Sequence, residues 1–259
     1  MTAPSSDQKA TPQQSAGPFA VVIPAYNHGA TVAAVIRKTL LQQLPVIVVD
    51  DGSTDETYKS IQSIPGIRIL RHRVNQGKGA ALVTGMREAA KIARWAVCID
   101  ADGQHDPDDI GSLLAAVPAT GSAILIGKRE GMETAPWTSR FGRKFSNFWI
   151  WVSGAALLSD SQSGFRLYPL PEVLHLDIQA GKYQYELEVL VKAAWKGIPI
   201  LEVPVRVSYA PFGPRISHFD PWRDFLRNSW TFSRLITRRM LSASLWTRHR
   251  RKSASEKRL

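Results

Sequence analysis

The sequence predicts an α/β domain: a mostly parallel sheet with helices covering both faces. Three observations carry that prediction. Short runs of about four to six apolar residues alternate with longer stretches of helical periodicity. The runs lack the polar alternation of a half-solvated strand, so each is expected to be buried on both faces. Polar clusters follow run after run, at Pro24 to His28, Asp50 to Ser53 and Asp100 to Gln104, and ligands collect at the carboxyl ends of strands in such sheets.

In chain order, residues 1–17 are rich in Ser, Gln, Pro, Thr and Ala and read as a disordered lead-in. Phe19 to Pro24 is the first strand, and Thr31 to Leu41 carries helical periodicity. Val46 to Val49 is the second strand, with Ser53 or Thr54 placed to cap a helix running to Ile64. Ile67 to Leu70 is the third, and an Ala-rich helix follows Asn75-Gln76-Gly77-Lys78-Gly79 as far as Ala93. Trp95 to Ile99 and Ala123 to Ile126 are the fourth and fifth strands, flanking a helix over Pro107 to Ala116. Trp137 to Leu158 mixes aromatic residues with Arg140, Arg143 and Lys144, which predicts a helix with one basic side. A turn at Ser163 leads into a short strand, Tyr185 to Lys196 is helical, and Ile198 to Tyr209 is extended.

The chain is organised around Trp95-Ala-Val-Cys-Ile-Asp-Ala-Asp-Gly-Gln-His105. An apolar strand ends in Asp100 and Asp102, two carboxylates that are costly there unless solvated or paired with a cation. Gly103 permits a sharp turn and close approach by a ligand. Asp106 and Pro107 have the chemistry of an N-cap and a first helical residue, so Asp106 has a structural task that Asp100 and Asp102 lack. Carboxylate and amide oxygens suit a hard divalent ion, Mg2+ or Mn2+, which would in turn hold a diphosphate. A solvated acidic turn is the alternative.

Composition narrows the class further. The 259 residues suit one large domain, or one with an appendage, and 44% apolar content is enough for a substantial core. The single cysteine, Cys98, excludes an intrachain disulfide framework and fits a reducing compartment. No run is long and apolar enough for a membrane span, and no signal-peptide core opens the chain. The expected location is therefore cytoplasmic. Formal charge is +11. Between Arg215 and Leu259, twelve Lys or Arg stand against three acidic residues. At 100° per residue Arg223, Arg227, Arg234 and Arg238 share an arc of about 60°, with Trp222, Phe225 and Ile236 roughly opposite. That pattern predicts a basic amphipathic helix on an anionic membrane surface, at the cytoplasmic face; a helix packed on its own domain is the alternative. Nucleic acid is not expected, because no recognition motif accompanies the charge. The expected organisation is a lead-in over 1–17, a catalytic domain over 18–213 and a basic helix and tail over 214–259.

Val21-Val-Ile-Pro-Ala-Tyr-Asn27, Val48-Val-Asp-Asp-Gly-Ser-Thr-Asp-Glu-Thr57, Asn75-Gln-Gly-Lys-Gly-Ala80 and Asp100-Ala-Asp-Gly-Gln104 occur in that order. Together they resemble the family 2 glycosyltransferases of the GT-A, or nucleotide-diphospho-sugar transferase, fold. Ser163-Gly-Phe-Arg-Leu-Tyr168, Glu188 and Glu202-Val-Pro-Val205 narrow the resemblance to dolichyl- or polyprenyl-phosphate mannose and glucose synthases. The resemblance implies that Pro24, Ala25, Tyr26 and Asn27 line a nucleotide base and ribose, with Asp51 on the base and Lys78 and Asp100 in the same pocket. It implies a Mg2+ or Mn2+ site at Asp100, Asp102 and Gln104, with Asp102 and Gln104 as the direct ligands it favours. It places Arg166, with Arg140 and Arg143, at the reacting phosphates or the acceptor. Relatives often carry an acid after Tyr-Asn; this chain has His28.

Simpler tasks exist for several of these residues: helix capping for Asp50 and Asp51, solvation for Lys78, and an ion pair with Asp160 for Arg166. The implied reaction is inverting transfer of a hexose from a GDP- or UDP-linked sugar. A lipid-phosphate acceptor is already anionic and needs no base, whereas a hydroxyl acceptor needs one. Asp160 lies about where hydroxyl-transferring relatives place it. A non-catalytic module that binds nucleotide sugar is the reading outside enzymes.

Overall fold

The computed structural model describes residues 18–130, 137–155, 157–208 and 229–239, with the side chains of 137–142 outside that description. The expected lead-in, Trp222, Arg223, Phe225 and Arg227 lie outside the described residues, as does the Arg140 side chain.

Seven strands form one sheet: β1 (Phe19–Ala25), β2 (Val46–Asp50), β3 (Ile67–Arg71), β4 (Trp95–Cys98), β5 (Ile124–Arg129), β6 (Arg166–Pro169) and β7 (Ile200–Val205). Their order is β3-β2-β1-β4-β6-β5-β7. Every pairing is parallel except those of β6, which runs antiparallel to both β4 and β5. The helices are α1 (Val32–Leu40), α2 (Thr57–Gln62), α3 (Lys78–Ala89), α4 (Ile110–Ala115), α5 (Trp137–Val152), α6 (Leu170–Leu174) and α7 (Gln184–Trp195).

Successive strand residues point to opposite faces, and β1 shows the consequence. Ala20 and Val22 pack with Ile47, Val49, Leu82, Met86 and Leu190 on one face. Val21 and Ile23 pack with Val48, Ile36 and Ile110 on the other. Each of the larger of these side chains contributes about 1.5–3 kcal/mol when fully buried, and with both faces buried the runs read as continuous rather than alternating. From β1 the chain steps outward through β2 and β3, then returns to place β4 on the other side of β1. The carboxyl ends of β1 and β4 thus flank the point where strand order reverses, where open α/β sheets keep their ligand crevice.

Three expectations change. The helix after β2 begins at Thr57 rather than at Ser53 or Thr54. Ser53 Oγ accepts from the Asn27 amide and the Thr54 amide donates to Asn27 Oδ1, so Asp55 Oδ1 supplies the acceptor for Thr57 N–H instead. α5 stops at Val152, short of Leu158, and a turn at Gly154 follows. Residues 229–239 pack on the domain: Phe232 and Leu235 belong to the main core, and the Phe232 ring stacks on Trp149 at 6.3 Å. Arg234, expected to face a membrane, instead donates to Glu188 Oε2 and Gln179 Oε1 at 2.7 Å each. A buried carboxylate outcompetes solvent for that guanidinium. Ile236 is half-buried, and Arg238 lies 3.6 Å from Asp177.

Candidate active site

β4 delivers the acidic turn to the sheet's carboxyl edge beside the end of β1. Asp100 is partly exposed there. Asp102 Oδ1 accepts the Gln104 amide at 2.9 Å, a local Asx turn, and Gly103 takes the left-handed backbone (φ 76°) that closes it. Asp106 caps the next helical turn as expected, accepting from Asp108 N–H, and it pairs with Lys38 at 2.6 Å. The stretch after β7 straps the turn down. His105 and Val207 form an antiparallel bridge, Ser208 N–H donates to Gln104 O, and Arg206 grips Asp109 through its backbone and guanidinium nitrogens. Burial against Phe165 pushes the His105 imidazole down to about 4, so it is neutral at ordinary pH. A cleft of about 250 Å³ opens beside this turn, between α1, Gln104 and Arg206.

Lys78 sits at the first position of α3, with its ammonium 2.7 Å from Asp100 Oδ1 and 3.1 Å from Glu186 Oε2. Burial alone would favour the neutral amine. Asp100 and then Glu186 outweigh it and hold the ammonium well above its ordinary pKa. Burial likewise raises the Asp100 carboxyl, and Lys78 more than reverses that, holding it below the usual carboxylate range. Lys78 is therefore an integral part of the acidic site, not a solvated loop lysine. The Ser163-Gly164 turn lies directly over the pair. A Cβ on Gly164 would stand 2.2 Å from Asp100 Oδ2 and 2.7 Å from Lys78 Nζ, so a side chain there would push the pair aside.

The remaining expected residues divide. Tyr26 and Asn27 are half-buried just beyond β1, but Pro24 and Ala25 are closed inside the strand, so they present no side chain to a base. Asn27 ties the ends of β1 and β2 together, its amide donating to Ser53 Oγ and its carbonyl accepting from Thr54. Asp51 is 2% exposed and accepts from the Gln76 and Gly77 amides while pairing with His72 Nδ1 at 2.6 Å. It shapes the Gln76–Lys78 loop and caps no helix. Asp50 accepts from Ser53 N–H and faces Arg71 at 2.9 Å.

Arg166 lies apart from these. It was expected at the reacting phosphates, yet it is wholly buried, donating to the Ser161, Ser163 and Glu186 carbonyls and to the Tyr168 hydroxyl. Three carbonyls and a hydroxyl take four of its five N–H donors, so it fixes the Ser163-Gly164 turn and the start of α7. Nor does it pair with Asp160, which is gripped by Arg129: Oδ2 accepts from Nε at 2.7 Å and Oδ1 from Nη2 at 2.8 Å. Burial opposes ionisation of Asp160, and Arg129 overrides it, holding the carboxyl below its usual range. Arg143, half-buried on α5, also stabilises that charge. Sequence reading missed Glu186. The available signal was two glutamates, 186 and 188, inside the otherwise apolar opening of α7, where a buried acid needs a cation. Glu188 has Lys192 and Arg234; Glu186 has Lys78.

This geometry, an acidic turn and a lysine at the switch point of a mostly parallel sheet, coincides with a family match. The model for glycosyl transferase family 2 matches residues 20–168, more than half of the chain. The chain belongs to glycosyl transferase family 2. The glycosyltransferase is 29% identical over 216 residues to the UDP-N-acetylglucosamine–dolichyl-phosphate N-acetylglucosaminyltransferase of Methanococcus voltae, covering 74% of this chain and 86% of that one. It is 27% identical over 215 residues to the polyprenol monophosphomannose synthase of Mycolicibacterium smegmatis, covering 74% and 78%. Its fold is similar to that of mannosyl-3-phosphoglycerate synthase from Rubrobacter xylanophilus, with TM-score 0.64 and 18% identity over 88% of this chain and 75% of that one. The mixed sheet with its flanking helices is thus a GT-A fold.

Proposed function

We propose that this glycosyltransferase moves a hexose from a nucleotide-diphosphate sugar to a polyprenyl or dolichyl phosphate, with inversion at the anomeric carbon. The observation that carries the choice of acceptor is Asp160. Where a hydroxyl acceptor would call for a base, the carboxylate has both oxygens bound to Arg129. A phosphate monoester is already an anionic nucleophile and needs no proton removed. The names of the Methanococcus and Mycolicibacterium relatives, which specify dolichyl phosphate and a polyprenol monophosphate, support the same acceptor class.

The residues present fit a divalent ion. Asp100, Asp102 and Gln104 offer only oxygen donors from a tight turn, Asp100 is reachable from solvent, and Mg2+ or Mn2+ prefer such donors. Bound there, the ion would neutralise charge developing on the leaving diphosphate. Lys78 supplies a second, permanent positive charge at the same place. Tyr26 and Asn27 stand at the β1 end for the nucleoside, and Arg143 beside Asp160 for the acceptor phosphate. Attack from the face opposite the leaving group inverts the centre.

A lipid acceptor places the enzyme at a membrane. No helix among the described residues is long and apolar enough to cross one. The charge of +11 favours a peripheral position on an anionic, cytoplasmic leaflet. The test is transfer from a panel of UDP- and GDP-sugars to a short polyprenyl phosphate, with Mg2+, Mn2+ or EDTA, and NMR assignment of the product anomer. Transfer to free glycan hydroxyls in preference to the lipid phosphate would overturn the acceptor, and full activity in EDTA would overturn the metal.

A further inference from the structure

Asp100 has two claims on it. It holds the Lys78 ammonium with both oxygens, at 2.7 and 3.0 Å. A divalent ion ligated by Asp100 takes at least one of the same oxygens, so binding it draws the carboxylate away from Lys78. Lys78 is 16% exposed and lies under the Ser163-Gly164 turn. Deprived of Asp100 with no other counter-charge, it would be a buried, unpaired ammonium, which is strongly unfavourable.

Glu186 removes that difficulty. Its carboxylate is 8% exposed and sits 3.1 Å from Lys78 Nζ, on the first turn of α7, where the helix dipole favours an acid. Two contacts hold it in place independently of the ion. Arg166 Nη1 donates to the Glu186 carbonyl at 2.6 Å, and Ala80 N–H, in the first turn of α3, donates to Gly181 O at 3.0 Å. The ends of α3 and α7 that carry the two charges are therefore fastened to each other and to the turn above. Resting on the metal reading of the previous subsection, we propose that Glu186 is a positioning residue that retains the Lys78 ammonium in the site when Asp100 exchanges it for a divalent cation. The site then gains the ion without losing the lysine, and both positive charges face the leaving diphosphate.

A double-mutant cycle on the purified chain tests this, with Mn2+ binding measured by electron paramagnetic resonance in the absence of donor and acceptor. Glu186→Gln keeps shape and hydrogen bonding but leaves Lys78 with Asp100 as its one anion, so Mn2+ affinity is expected to fall about ten-fold. In the Lys78→Met background there is no ammonium to strand, and the same substitution should cost no more than about three-fold. Glu186→Asp keeps the charge and should stay within about three-fold of wild type. If Glu186→Gln lacks the native melting curve, the cycle is run with Glu186→Met, which likewise removes the charge and must show the same roughly ten-fold loss, absent in the Lys78→Met background. Equal losses in the two backgrounds, or none in the first, would overturn the positioning role, the former pointing to Glu186 as a direct ligand. Absence of Mn2+ binding by the unsubstituted chain would overturn the metal reading itself, and that result needs no variant.

Discussion

Asp102 and Asp106 lie four residues apart on one loop and carry the same side chain, but their surroundings separate their tasks. Asp106 is spent on a cap and on Lys38, and Asn caps equally well. Asp106→Asn should therefore keep transfer within about three-fold, losing only a partly exposed ion pair. Asp102→Asn removes a charged ligand of the proposed ion with little change in packing, and initial rates should fall at least about 100-fold. Equal losses would show that the turn has no specialised member. Asp160 gives the complementary test, on stability. Asp160→Asn leaves Arg129 without its carboxylate, at a cost of about 3 kcal/mol, seen as a lower urea midpoint. The sign with pH follows from its depressed folded pKa. The ion pair contributes fully above the unfolded carboxylate value of about 4, and the contribution is lost as pH falls through the folded value. The gap between wild type and Asp160→Asn should therefore be constant near neutrality and close in acid. A transfer rate that falls by several orders of magnitude in Asp160→Asn, with an acid limb in the unsubstituted enzyme that tracks this carboxyl, would instead restore it as a base.

At the level of elements, α5 offers a membrane a surface besides the arginine stripe expected of the C-terminal segment. Of that stripe, Arg223 and Arg227 lie outside the described residues and Arg238 is exposed. Phe232 and Leu235 are buried and Arg234 is bound to Glu188. The outward face of α5 instead carries Lys144, Phe148 and Trp151 at helical spacing, with both aromatic residues more than half exposed. That helix has no acidic residue and three basic ones, a combination suited to an anionic interface. Phe148→Ser with Trp151→Ser should reduce sedimentation with anionic liposomes at least about five-fold, since each loses roughly 1–2 kcal/mol of burial in the interface. Unchanged binding would move the contact to residues outside 229–239 and α5. Helical period revealed that the C-terminal segment is two-sided; it could not reveal which side faces protein. That depended on Glu188, a buried acid 46 residues away that needed a second cation.

Across the whole molecule, what could be read from sequence was what depends on neighbours in the chain. The strands β1 to β5, the cap at Asp106 and the turn at Gly103 follow from local pattern and backbone chemistry. The antiparallel entry of β6, the Arg129–Asp160 pair, the burial of Arg166 and the place of Glu186 all depend on contacts across at least 20 residues. Motif order located the site, but not the pairing within it. The C-terminal segment is the sharpest case, because the two readings of it predict opposite results. Were residues 214–259 an appendage, a chain ending after Asn228 would keep its fold and lose only membrane binding. With Phe232 and Leu235 inside the core, that truncation forfeits about 1.5–3 kcal/mol for each and removes Arg234 from Glu188. A total of about 3–6 kcal/mol is a large share of the roughly 5–15 kcal/mol that holds a domain together. The truncated chain should therefore show a clearly lower urea midpoint and weaker donor binding, because it loses the packing of Phe232 on Trp149 of α5 and the Arg234 pair on α7, the helix that carries Glu186. A midpoint equal to that of the full chain would return residues 229–239 to the status of a detachable helix.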